Sequence, residues 1–128
     1  MGAVRKAKLV DSNLAGAVAA SGAFDFAGVT PKRVSFMVAA AANGAPGTLT
    51  LTVQVSPNGG MDLVDYDKLL SGEGSDAPVS SVAFSGSGGG IVSTSPEDVF
   101  DYIKVSAESA SGDVDNNWDA AVYMVAEY

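Results

Sequence analysis

Between Thr48 and Val55 the chain reads TLTLTVQV, with Leu49, Leu51, Val53 and Val55 alternating with Thr48, Thr50, Thr52 and Gln54. A period of two marks a strand with one face buried and the other wet. Threonine, being β-branched, suits the wet side. Upstream, KRVSFMVAA places Val34, Phe36 and Val38 on one face, entered through Pro31 and left through the turn-rich ANGAPG. The two runs are expected to pair as a hairpin. AFDFAGV repeats the alternation over a shorter length, with Phe24 and Phe26 facing one way and Asp25 the other.

Beyond the SPNGG turn, MDLVDYDKLL is expected to direct Met61, Leu63 and Tyr66 inward. PVSSVAFS is a further strand, flanked by the Gly/Ser loops SGEGSDAP and SGSGGG. STSPEDVF opens like one turn of helix, with Ser95 as N-cap, Pro96 first in the helix and Glu97 and Asp98 in the first turn. DYIKVSAES then sets Ile103, Val105 and Ala107 against Tyr102, Lys104 and Ser106, and DAAVYMVAEY is the closing strand. Roughly seven to eight short strands with no long amphipathic helix predict an all-β fold, an antiparallel β-sandwich or jelly roll.

One domain accommodates the 128 residues. Residues 1–20 differ from the rest: they are small and basic and have no bulky apolar set to bury. They read as an amino-terminal arm or an edge strand ahead of a single sandwich over 21–128. No apolar run reaches the roughly 20 residues of a membrane span. The basic start followed by LAGAVAASGA is too weak for a secretion signal, being interrupted by Asp11, Ser12 and Asn13, and reads as mature chain of cytoplasmic origin.

Composition narrows the chemistry. There is neither cysteine nor histidine. Disulfides, thiolate nucleophiles, cysteine-ligated zinc and histidine-based acid–base catalysis have no residues to work with. The net charge is −8, but five of the seven basic residues fall within residues 1–33 against two acids there. So acidic a body repels a nucleic-acid backbone. The basic residues at the start, Arg5, Lys6 and Lys8, are the candidates for contact with a protein partner.

One motif resembles a metal site. In SGDVDNNWDAAVYM, Asp113, Asp115, Asn117 and Asp119 occupy alternate positions, as the oxygen ligands of a calcium loop do. Counting from Asp113, however, Trp118 stands where such a loop needs glycine and Met124 where it needs glutamate. The expectation is a turn between two strands, with calcium as the rival reading. Asp62, Asp65 and Asp67 have the same status and mark the wet side of a strand. The acids lack the cleft and aromatic platform of a glycosidase, and SGSGGG lacks the GK[ST] of a phosphate loop. No catalytic residue, cofactor or enzyme activity is therefore predicted. Trp118, Tyr123 and Tyr128 could instead form a sugar-stacking platform, although aromatics at a strand end more often belong to a core or subunit interface.

Three segments taken together, LTLTVQVSPNGGMDLVDYDKL, SPEDVFDYIKVSA and AAVYMVAEY, resemble a recurrent small β-sandwich among virion structural proteins of tailed bacteriophages. The resemblance covers residues 34–128 and departs from the commoner form in having Met61, Leu63 and Val64 after the turn where a tryptophan is usual. It implies a homo-oligomeric capsid decoration or cement protein that binds the major capsid protein or other virion proteins, localised to the virion and assembled in the host cytoplasm. A tail or neck component and a carbohydrate-binding sandwich are the alternatives. On this reading the amino-terminal arm reaches across a subunit boundary.

Overall fold

The computed structural model of the chain describes residues 4–15, 19–71, 78–95, 98–110 and 112–128. Ten strands lie among them: β1 (Val4–Asn13), β2 (Ala19–Asp25), β3 (Arg33–Asn43), β4 (Leu49–Ser56), β5 (Val64–Asp65), β6 (Leu70–Ser71), β7 (Ser81–Phe84), β8 (Gly88–Ser93), β9 (Tyr102–Ser109) and β10 (Asn117–Glu127). All pairing between them is antiparallel. Sheet A runs β1-β10-β3-β8-β6, and sheet B runs β2-β9-β4-β5 with β7 also paired to β4. The two sheets pack face to face as a β-sandwich. No helix among the described residues is long and apolar enough to cross a membrane.

Alternation decides which side chains enter the core. Val34, Phe36 and Val38 of β3 and Trp118, Ala120, Val122, Met124 and Ala126 of β10 form the inner face of sheet A. Opposite them lie Leu49, Leu51 and Val53 of β4 and Ile103, Val105 and Ala107 of β9. Each large aliphatic or aromatic side chain buried here stabilises the fold by about 1.5–3 kcal/mol. One end of the sandwich is plugged by aromatics: the Phe26 ring lies 5.0 Å from Phe24, 6.3 Å from Phe100 and 6.2 Å from Tyr128. Tyr66, buried beside Phe100, hydrogen-bonds Asp98 through its hydroxyl and accepts the Ser95 N–H. Burial and the Asp98 bond push its phenol well above the ordinary value.

Several expectations change here. Ten strands replace the seven or eight, because β5 and β6 are two residues long and too short to show a period. β3 and β4 do not form a hairpin: β3 lies in sheet A and β4 in sheet B, so residues 44–48 cross between layers. Pairing of β5 begins only at Val64, opposite Val55. Met61 and Leu63 therefore belong to the turn and are exposed, while Tyr66 is buried. Gly88–Gly90, expected in a loop, are ladder residues of β8 opposite β3. Ser95 and Asp98 are not helical, and Pro96 and Glu97 lie outside the described residues, as do 72–77 of the first Gly/Ser loop.

The stretch expected as an arm or edge strand lies at the edge of sheet A. Val4–Asn13 pairs along its length with β10 of its own chain, and Val10 and Leu14 are buried, which holds it there. It does not project outward as an arm. A β-bulge between Lys8 and Val10 leaves Leu9 as an extra residue. The Leu9 carbonyl rests against Gly22 of β2, so close that a Cβ on Gly22 would lie 1.9 Å from that oxygen. The two layers are thus zipped together along the β1–β2 side.

Candidate interaction surfaces

The acidic motif at 113–119 divides between a turn and a strand. The turn at 112–116 precedes β10 of sheet A and follows β9 of sheet B in the chain. Asp113 organises that crossing: its Oδ1 accepts the N–H groups of Asp115 (2.9 Å) and Asn116 (2.8 Å) and the Asn116 amide (3.2 Å). Those donors, the Asp115 N–H foremost, hold its carboxyl below the usual range. Asn117 and Asp119 already lie on β10 and share a face because strand positions alternate. The Asn13 amide of β1 donates to Asn117 Oδ1 (2.9 Å) and Asp119 Oδ1 (2.7 Å). From the other flank, the Asn43 amide of β3 donates to Asn117 Oδ1 (2.9 Å) and Asp119 Oδ2 (2.9 Å). These side-chain donors depress the Asp119 carboxyl, Asn13 contributing most.

The side-chain oxygens of Asp113, Asn117 and Asp119 are therefore used by N–H donors, and Asp115 contributes its own N–H to the turn. No group of three or more metal-ligating acids converges among the described residues. The arrangement clamps three strands together at the sheet end. Asn13 and Asn43, which complete it, lie far away in sequence, and only the fold brings them in.

Arg5, Lys6 and Lys8 do not form one patch. Lys6 and Lys8 project from the outer face of sheet A, opposite Val125 and Tyr123 respectively. Arg5 projects the other way, with its guanidinium 5.5 Å from the Phe24 ring of β2. The alternation in VRKAKLV carries that signal. The bulge then restores Asp11 to the outer face, three residues after Lys8, and allows an ion pair at 3.1 Å. That pair and the Tyr123 hydroxyl raise the Lys8 pKa, Asp11 contributing most. Being exposed, the pair adds little stability. Lysines and a bulge on an edge strand also blunt edge-to-edge pairing with other sheets.

The two outer faces of the sandwich differ. That of sheet B is polar: Thr50, Thr52, Gln54, Lys104, Ser106 and Glu108 line it. That of sheet A carries the row Lys8–Tyr123–Met37–Ile91 across four adjacent strands. Met37 and Ile91 are 53% and 55% exposed and Tyr123 38%. Beside this row, Ala121, Ala39 and Gly89 leave the sheet low and flat.

A second exposed apolar group stands on the 56–64 turn. The Ser56 hydroxyl accepts the N–H groups of Asn58 (3.2 Å) and Gly60 (3.0 Å) and donates to Asn58 Oδ1 (2.7 Å). Asn58 is also bonded twice to Asp62, and the Gly59 N–H donates to Asp101. Gly59 and Gly60 adopt positive φ (72° and 96°), and Gly60 lies against the Tyr102 ring. With its polar groups occupied, this stiff turn holds Met61 86% exposed and Val64 58% exposed, with Leu63 also at the surface. The exposed acids Asp62, Asp65 and Asp67 interleave with them in sequence, and Asp65 accepts a hydrogen bond from the Gln54 amide at 3.0 Å.

The sugar-stacking platform is not formed. Trp118 is fully buried, its indole N–H donating to the Gly47 carbonyl at 3.0 Å, and Tyr128 packs on Phe26 inside the aromatic end. Only Tyr123 of the three stands on an outer face.

No family model and no curated protein matches the sequence. Among solved structures, the fold is similar to that of the SPBc2 prophage-derived protein YomS. The TM-score is 0.59 at 10% identity, over 100% of this chain and 96% of that one. At that identity the likeness is one of fold, and the structural neighbour is a phage-derived protein. It extends across the whole sandwich, β1 included.

Proposed function

We propose that this chain is a non-enzymatic structural protein of a phage particle, a capsid decoration or cement protein that binds the head shell and stabilises it. The observation that carries this reading is the outer face of sheet A. Tyr123, Met37 and Ile91 form an apolar row three strands wide on a domain whose opposite face is polar. Contiguous exposed apolar area of that kind marks a contact surface. Lys6 and Lys8 border it, which suits a partner with an acidic rim and steers the approach to it. The fold shared with a prophage-derived protein supports the phage setting.

Quantitative mass spectrometry of purified particles tests the assignment by counting copies of this chain against the major shell protein. A ratio that is a simple fraction of the shell count is the expected result. A handful of copies per particle would move the protein to the tail or neck. Complete absence would overturn the virion reading.

A further inference from the structure

The apolar row on sheet A and the apolar tip of the 56–64 turn are complementary in charge. Lys6 and Lys8, the latter paired with Asp11, edge the row, and the exposed acids Asp62, Asp65 and Asp67 interleave in sequence with Met61, Leu63 and Val64. We infer that the occupant of the sheet A face is the 61–67 tip of a second copy of this chain, so that copies join head to tail. This rests on reading that face as a contact surface, and it names the partner.

The topology places the two surfaces where one molecule cannot satisfy both. Lys6 and Lys8 lie on β1, the strand of sheet A that sits over β2 at one lateral edge. The tip leads into β5, at the opposite lateral edge and in the other sheet. A contact between them is heterologous: each copy uses its face for one neighbour and its tip for another, which closes into a ring or continues as a filament. The tip is prepared for docking. Hydrogen bonds to Ser56, Asn58 and Asp101 fix the turn, so little conformational freedom is lost when Met61 enters an apolar seat. The seat is wide and shallow, because Ala39, Ala121 and Gly89 lie beside Met37 and Tyr123.

Charge reversal tests this. The purified full chain is examined by light scattering after size exclusion, at low and at high ionic strength. The wild type is expected to self-associate, and less so as salt rises. K6E/K8E and D65K/D67K, each checked for a native circular-dichroism spectrum, are each expected to lose association. Mixed in equal amounts they are expected to regain it, because the acidic tip of the first then meets the basic face of the second, and the basic tip of the second meets the acidic face of the first. Met61→Ser, which alters no charge, is expected to weaken association as well.

A wild type that stays monomeric at low salt would overturn the inference, as would single variants that associate like the wild type, or a mixture that does not recover. If purified chain stays monomeric while particles carry it and lose it in K6E/K8E, the shell protein is the occupant. The inference then fails while the proposed function stands.

Discussion

Replacing Gly22 with alanine should separate the first two strands. The backbone of Gly22 is not in the left-handed region, so the cost is steric alone. A Cβ there would sit 1.9 Å from the Leu9 carbonyl oxygen and 2.6 Å from its carbon, where ordinary contact begins at 3.4 Å. The β1 and β2 backbones must therefore move apart by about 1.5 Å at this point, the difference between 1.9 and 3.4 Å. Neither atom belongs to a side chain that can rotate away. Overpacking of this kind costs about 1–3 kcal/mol. For a chain of this length that corresponds to a fall in Tm of roughly 4–12 °C. Thermal or urea unfolding gives the number, and hydrogen exchange should show the loss concentrated in the amides of β1. Gly86→Ala is the control: nothing lies within 4 Å and its φ is not positive. That variant should be neutral or slightly more stable. Gly22→Ala within about 0.5 kcal/mol of wild type would refute the zipped β1–β2 seam.

Two further outcomes follow from the sheet end. Trp118→Phe removes the indole N–H, leaves the Gly47 carbonyl without that donor and opens space in the core, so a loss of about 2–4 kcal/mol is expected in urea unfolding. Asp119 is held below its ordinary pKa by the Asn13 and Asn43 amides, so its contribution is present above the unfolded value near 3.8 and is lost as pH falls through the folded one. The stability difference between wild type and Asp119→Asn, followed from neutral pH to about pH 3, should shrink towards the acid end.

The strands with a strong period of two were legible because each residue there has its side fixed by its neighbours. Leu49 to Val53 and Ile103 to Ala107 needed nothing beyond local pattern. What local pattern does not carry is the choice of layer. Nothing within residues 34–56 says that β3 and β4 separate, because that depends on β10 pairing with β3 and β9 with β4. Gly88–Gly90 have no side chains to alternate and so gave no strand signal, although Gly89 must be glycine to lie against the Val38 carbonyl.

The candidate surfaces were legible in pieces. The calcium-like spacing of Asn117 and Asp119 has a strand origin, and the partners that explain it, Asn13 and Asn43, come from two other strands. The basic residues were visible as a group, but strand alternation splits Arg5 from Lys6 and Lys8. Met37, Ile91 and Tyr123 become one row only through the register of two ladders.

The position of β10 sets a timetable for biosynthesis. It is the last strand in sequence, yet it lies between β1 and β3, pairing with Val4–Asn13 on one side and Arg33–Asn43 on the other. The ribosome must emit residue 127 before either neighbour can complete its ladder. Until then β1 is a tethered segment whose partner does not exist, and sheet A has a gap at the place where Trp118 and Met124 will fill the core. Closing that gap joins residues more than a hundred positions apart, the kind of contact that slows folding. The domain should mature in one late step once β10 has left the ribosome, and a nascent chain stalled short of β10 should expose the inner face of β3 to chaperones.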